Sequence, residues 1–576
     1  MEGPERQCLS ARRSPLRCGL WGCTLAALLV LMGSAPSPAQ QIPTQDGLQP
    51  ILQYINDGWV GLSRSLTDCK TVSDPKTEKS VLYFPADIAV PAPAQQLQEK
   101  CGVRIEHLPG VLHRLGEADM KQIVGHGLLY LPNSYVVPGG FFNEMYGWDS
   151  YFIILGLLRD KRFDLARGMV ENFFFEIEHY GAVLNANRGY FLTRSQPPLL
   201  TSMIMAVHEA EKAAGRDDRA WLSKAYEYAV RDHDLWVREP HLAGDTGLSR
   251  YFDFGQGPVP EITESKDSYY SDVAQQLARH PQLMNDFMTA EAASSTPAGW
   301  PRFALYLCPQ GSSAGGSCPA LETIAFTADY YKGDRSMRES GFDISFRFGP
   351  FGGATHHYAP VCLNSLLFKT EQDLGAISHV LGREEETVRW KQRAEARRTT
   401  INKYLWDARA GMFFDYDFEK GARSSYVYAS TFYPLWAGLA SEQQARAVAA
   451  NLKHFEQPGG VAMSDQITGV QWDLPYGWAP VQLLAVEGLR SYGFHDQANF
   501  LAYKFLSTVQ ENFRRDGTIR EKYNVVTRSS EAKVTAGYQT NVIGFGWTNG
   551  VFLQLLHELP AAWRQRLQQN PPAATP

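Results

Sequence analysis

Amphipathic stripes at helical spacing run through most of this chain, and strand-like alternation is scarce. Trp221, Leu222, Ala225, Tyr228 and Ala229 recur at i, i+1, i+4, i+7 and i+8, which lines one face of an α-helix. Leu374, Ile377 and Leu381 recur at steps of three and four. Ala445, Val448, Ala449 and Leu452 do the same behind Ser441-Glu-Gln-Gln444, the pattern of an N-terminal capping box. Loops rich in glycine, proline and aromatics lie between such stretches, at 132–151, 187–198, 251–268, 341–360, 471–480 and 521–549. A chain so patterned buries its apolar faces by packing helix on helix, and its chemistry falls on the connecting loops. No fixed-period repeat stands out, which disfavours a helical solenoid.

The length, 576 residues, admits two to four domains or one large helical barrel. Hydrophobic residues at 44% and charged residues at 20% are those of a globular protein and exclude disorder. Residues 1–39 read as a signal peptide. Arg6, Arg12, Arg13 and Arg17 precede an apolar run from Leu20 to Met32, and small residues follow as far as Ala39. That run is short for a membrane span. The mature chain is therefore expected to be soluble, periplasmic or secreted, free of the membrane and monomeric. It carries 51 basic and 59 acidic residues, a net charge of −8, which gives no electrostatic reason for a nucleic-acid partner. Residues 559–576, rich in proline, glutamine and alanine, read as a flexible tail, and 262–340 as an insertion or lid.

Five cysteines lie beyond residue 39: Cys69, Cys101, Cys308, Cys318 and Cys362. Cys308–Cys318 and Cys69–Cys101 are both open as disulfides, since spacing does not fix connectivity. No CxxC or HxxxH spacing supports a structural zinc, and His356-His357 reads as a structural or loop-exposed pair.

Two segments more than 300 residues apart carry aromatics, carboxylates and backbone-permissive residues together: Pro138-Gly-Gly-Phe-Phe-Asn-Glu-Met-Tyr-Gly-Trp-Asp-Ser-Tyr151 and Gln471-Trp-Asp-Leu-Pro-Tyr-Gly-Trp-Ala-Pro480. A carbohydrate pocket needs that mixture, flat apolar faces for the ring and carboxylates for its hydroxyls. These two segments resemble the signature segments of the trehalases, glycoside hydrolase family 37. The resemblance extends to Asn185–Pro198, which ends Arg-Ser-Gln-Pro-Pro; to Ser340-Gly-Phe-Asp-Ile-Ser-Phe-Arg347; to Pro360–Asn364; to Glu521-Lys-Tyr523; and to Gly544–Gly550. It covers roughly 130–555, with the blocks in family order.

The resemblance implies an all-α fold, an (α/α)6 barrel spanning 40–558 as the catalytic domain, with the pocket built from loops at one end. It implies hydrolysis of an α-glucosidic bond with inversion. An inverting glycosidase uses one carboxylic acid to protonate the leaving oxygen and one carboxylate to activate water, roughly 6.5–9.5 Å apart. By resemblance Asp343 is the acid and Glu521 the base. Trp148 offers an aromatic face and Asp149 a carboxylate to the sugar. Asn185, Arg194, Ser195 and Gln196 form a polar sugar-binding loop, and Glu261 joins them. Gly341 lets the backbone approach the sugar. No metal or organic cofactor is implied, because carboxylate acid–base hydrolysis needs none.

The chain departs from the family at four places. Phe141 stands where an arginine follows Pro-Gly-Gly, and Val259 where an arginine precedes Pro-Glu. Asn524 replaces an aspartate, and Gly537 occupies the place of a lid glutamate. Trehalose is the expected substrate. A different α-glucoside or oligosaccharide is the alternative that Phe141 and Val259 raise, and a non-catalytic sugar-binding protein is a third that retention of Asp343 and Glu521 disfavours.

Overall fold

The sequence stripes become helices for the reasons their spacing gives. The computed structural model describes residues 47–569 apart from 75–78, 124, 266, 281–283, 285–286, 308–319 and 537–539. The segment 1–39, the Cys308–Cys318 pair and Gly537 lie outside the described residues. The principal helices are α1 (Gln49–Leu62), α2 (Gly147–Arg159), α3 (Phe163–His179), α4 (Leu200–Ala213), α5 (Arg219–Trp236), α6 (Ala328–Glu339) and α7 (Val361–Val380). They continue with α8 (Glu384–Tyr404), α9 (Glu442–Ala450), α10 (Ala479–Ser491), α11 (His495–Asp516), α12 (Gly546–Glu558) and α13 (Ala561–Gln569). At the start of α9 the capping box closes both ways. Gln444 N–H donates to Ser441 Oγ at 3.2 Å, and Ser441 N–H to Gln444 Oε1 at 2.8 Å.

Sequential helices pack in pairs, α7 on α8, α10 on α11 and α2 on α3. The two members of a pair differ in burial. Fifteen of the 20 residues of α7 are buried, against five of the 21 in α8. A helix apolar on all sides belongs inside and a one-sided helix outside. The result is the expected (α/α)6 barrel, an inner ring of buried helices sheathed by amphipathic ones. The ring closes where the last long helix meets an early one. There α12 crosses α2 at Gly550 and Gly156, and a Cβ added at Gly550 would stand 2.0 Å from the Phe152 carbonyl oxygen. Backbone cannot yield as a flexible side chain can. Gly550→Ala is therefore expected to lower stability by about 1–3 kcal/mol or more, measurable as a fall in the denaturant midpoint at unchanged slope.

Three features differ from the sequence expectations. Strands β1 (Val81–Phe84), β2 (Arg104–His107) and β3 (Leu128–Leu129) form a parallel sheet in the order β2-β1-β3. Alternation could not reveal β1, because all four of its residues are buried. The segment Ala561–Gln569, expected within a tail, is helical, with Leu567 buried and Trp563 against Tyr503. The region 262–340 is more than an insertion. Strands β4 (Met288–Thr289), β5 (Phe303–Leu307) and β6 (Ala320–Phe326) form an antiparallel sheet, and α6 follows with residues 330–339 all buried. Val259, Tyr270, Phe326, Tyr330, Tyr331 and Ile344 pack there in a second apolar cluster. Cys69 and Cys101 are joined in a disulfide, with their Cα atoms 5.5 Å apart.

Candidate active site

Five aromatic rings bring the distant sequence blocks together. Trp472 and Trp478 stack 3.9 Å apart at 3°. Trp148 lies 6.0 Å from Trp472 and 5.7 Å from Trp547, and Phe342 packs 5.0 Å from Trp472. All five are buried. Trp148 is 2% exposed and packs at the centre of this cluster. Gly341 has φ +74°, and a Cβ on it would come 2.8 Å from the Trp148 indole. The glycine makes room for the tryptophan as well as for a positive φ.

The loop carrying Asp343 follows α6 and rests on this cluster through Phe342. The second signature segment clamps it. Gln471 Nε2 donates to the Asp343 carbonyl at 2.5 Å, and Trp472 N–H to the Ile344 carbonyl at 3.2 Å. Asp473 is fully buried and accepts from Phe346 N–H, Tyr426, Ser464 and Thr468. The carboxylate of the second signature thus holds the acid loop in place.

Glu521 arrives from the other end of the chain. Strand β7 (Tyr476–Trp478) pairs antiparallel with β8 (Lys522–Asn524), setting Trp478 opposite Lys522. Trp547 Nε1 donates to the Glu521 carbonyl at 3.1 Å. The Glu521 carboxylate is buried and accepts from Lys522 Nζ at 2.8 Å, and that ammonium lies 4.9 Å from the Trp478 ring centre. Glu521 and Lys522, adjacent in sequence, thus form an ion pair inside the protein.

Asp149, in the first turn of α2, connects the two carboxylates electrostatically. Burial first, and then the charges of Glu521 and Asp343, push its carboxyl well above the ordinary range. Burial also pushes Asp343 up to about 6, against the opposing pull of Arg338, whose Nη1 is 3.8 Å from it. Arg194 donates to Glu261 and lies 3.6 Å from Asp253. Burial disfavours the charge on Glu261, but Arg194 and Arg338 outweigh it and hold its carboxyl below the ordinary range. Arg194 Nε and Glu261 Oε2 are buried without a protein partner.

The rest of the expected polar loop faces inward. Ser195 is fully buried and donates to the Val183 carbonyl at 2.6 Å. Gln196 Oε1 accepts from Trp148 N–H at 2.9 Å, and Asn185 Nδ2 donates to the carbonyls of Ser195 and Arg338, each at 3.3 Å. Through these bonds the three residues brace the start of α2 and the end of α6. The orphan N–H groups of a helix's first turn need acceptors, and Gln196 supplies one.

Of Arg302, Arg335 and Arg338, three arginines near the second apolar cluster, Arg338 stands beside the acid. Arg302 is bound to the carbonyls of Ala293 and Thr296. Arg335 is bound to Asp253 and to the carbonyls of residues 256–258. Asp334 holds Arg338 from one side at 3.4 Å while accepting from Tyr269 and Tyr270. Arg338 lies five residues before Asp343, more than one helical turn, so local sequence gave its charge but not its direction. Val259 is fully buried in the second cluster, and Phe141 is 67% exposed.

A trehalase family model matches residues 57–300 and 324–560. The chain is 35% identical over 533 residues to a probable trehalase of Eremothecium gossypii, covering 87% of this chain and 66% of that protein. It is 37% identical over 491 residues to a cytosolic neutral trehalase of Saccharomyces cerevisiae, covering 78% of this chain and 60% of that one. The chain thus spans about three fifths to two thirds of the length of these curated relatives. Among solved structures it is similar to neutral trehalase Nth1 from Saccharomyces cerevisiae, with TM-score 0.71 and 30% identity, covering 91% of this chain and 96% of that one. Six relatives are named cytosolic neutral trehalases, which overturns the expectation of a periplasmic or secreted protein. The family match runs through both carboxylate loops, with a break at 301–323 that takes in β5 and the start of β6, and on that match the chain belongs to the trehalase family.

Proposed function

We propose that this chain hydrolyses the α,α-1,1 bond of trehalose to two glucose molecules with inversion at the attacked carbon. Asp343 gives its proton to the leaving glycosidic oxygen as the C–O bond breaks. Glu521 takes a proton from the water that attacks from the opposite face. The observation that carries this reading is the contrast between the two carboxylates around Asp149. Burial raises Asp343 to about 6, which keeps a protonated fraction available near neutral pH, whereas Glu521 accepts a hydrogen bond from the Lys522 ammonium. Arg194 Nε and Glu261 Oε2, buried and unpartnered, are a donor and an acceptor of the kind a sugar hydroxyl satisfies.

An acid that must be protonated is lost as pH rises through its pKa. For the free enzyme kcat/KM is therefore expected to decline as pH rises through about 6. A flat profile up to pH about 8 would argue against Asp343 as the acid.

A second reading, hydrolysis of another α-glucoside, is favoured by Phe141, an exposed aromatic where the family places arginine. Incubation with trehalose and a panel of α-glucosides, followed by NMR of the released anomers, separates the readings. One α- and one β-glucose from each trehalose is the expected result. Cleavage of other glucosides alone would sink the trehalose assignment. Binding without cleavage of any of them would leave a sugar-binding protein.

A further inference from the structure

Asp329, His356 and His357 converge away from the acid–base centre, at the opposite end of α6. Asp329 lies in the first turn of that helix, and the histidines end the short turn Thr355–His357 before α7. His356 Nε2 is 2.9 Å from Asp329 Oδ1, and His357 Nε2 is 3.2 Å from the same oxygen. The imidazole centres are 4.0 Å apart, and the three candidate ligand atoms lie within 4.8 Å of one another. The histidine pair is adjacent in sequence, and the fold adds a carboxylate from 27 residues earlier.

We propose that these three side chains form a binding site for one divalent transition-metal ion of zinc's class. The ligands are the two Nε2 atoms and the Asp329 carboxylate, with water completing the shell. For metal–ligand bonds of about 2.0–2.1 Å, adjacent donors in a tetrahedral or octahedral shell lie roughly 2.9–3.4 Å apart. Both nitrogen–oxygen separations already fall in that interval. The nitrogen–nitrogen edge lies within 4.8 Å, and His357, only partly buried, has room to adjust. Two imidazoles and one carboxylate select zinc, cobalt or nickel over calcium or magnesium, which prefer shells of oxygen.

Access and backbone support the same assignment. The Asp329 side chain is 53% exposed, His357 27% and His356 8%, so the ligands meet solvent on one side. Arg250 Nη1 donates to the His356 carbonyl at 3.0 Å, and Phe418 N–H to the His357 carbonyl at 3.1 Å. The backbone presenting both imidazoles is thus held before any ion arrives, which lowers the ordering cost of binding. An ion here fastens the first turn of α6 to the segment entering α7. The same helix carries Arg338 near its other end and runs into the acid loop. The ion's role is that of a staple and not of a cofactor in hydrolysis.

The test is calorimetric titration of EDTA-treated full-length protein with zinc chloride, with thermal unfolding measured in parallel. Wild type is expected to bind one more zinc ion than His357→Gln or Asp329→Asn. Zinc should raise its Tm, since a ligand that binds only the folded state stabilises it. Both variants should keep the wild-type Tm in EDTA and lose that zinc-induced rise. His357→Cys, which restores a zinc ligand, should recover it and so separates lost coordination from a damaged fold. Equal zinc stoichiometry in wild type and His357→Gln, no zinc bound by wild type, or an equal Tm response to magnesium would each overturn the proposal.

Discussion

Asp343→Asn is expected to lower kcat on trehalose by about 10²–10⁴-fold, the range removed with a general acid or base. The amide is nearly the same shape but cannot release a proton to the leaving oxygen. Glu521→Gln should lose a similar factor for the complementary reason, since its amide cannot accept a proton from water. The two losses are distinguishable by leaving group. On α-glucosyl fluoride, whose departure needs no protonation, Asp343→Asn should recover much of its rate while Glu521→Gln stays impaired. Asp343→Asn should keep wild-type thermal stability within about 1–2 kcal/mol, because the substitution is isosteric. Glu521→Gln removes the charge paired with the buried Lys522 ammonium and should lower stability by about 3–5 kcal/mol. Near-normal trehalose turnover in either variant would refute the assignment of that residue. Recovery of Glu521→Gln but not of Asp343→Asn on the fluoride would show that acid and base are exchanged.

Arg338→Ala is expected to lower kcat/KM by about 10–100-fold, from loss of a charge-assisted donor of about 1.5–3 kcal/mol. It should also shift the pH profile. Arg338 is the foremost charge holding the Asp343 carboxyl down against burial, so its removal lets that pKa rise. The protonated acid then persists to higher pH, and the alkaline limb of kcat/KM moves up from about 6. A residue that merely supported the fold would lower activity without moving that limb. Arg338→Lys should restore part of the limb's position but less of the rate, because an ammonium lacks the planar fork that spans Asp334 and Asp343. An unshifted limb in Arg338→Ala would remove Arg338 from the acid's electrostatic surroundings.

Much of the fold was legible because its signals are local. The capping box at Ser441-Gln444 and the stripe from Trp221 to Ala229 depend on residues within two turns of one another, and both formed. Strand β1 was not legible, because a strand buried on both faces shows no alternation. The helix Ala561–Gln569 was masked by its composition, and the packing of Leu567 and Trp563 outweighs that bias.

In the candidate site, the motifs identified the segments but not the direction of each side chain. Trp148, Asn185, Ser195 and Gln196 read as sugar contacts, and the fold adds that they form a buried frame beside the acid loop. A residue that touches a ligand and one that braces its neighbour look alike in sequence, since both are polar or aromatic residues beside glycine. Arg338 lies in no motif that marks it, and contact with Asp343 distinguishes it from Arg302 and Arg335. The family, the helical class and the identity of Asp343 and Glu521 as candidates came from residue order alone. The surroundings of those carboxylates came from the fold, because burial and opposing charge are supplied by residues hundreds of positions away. Periodicity and motif order are properties of neighbours along the chain, whereas a carboxyl's proton affinity is a property of its neighbours in space.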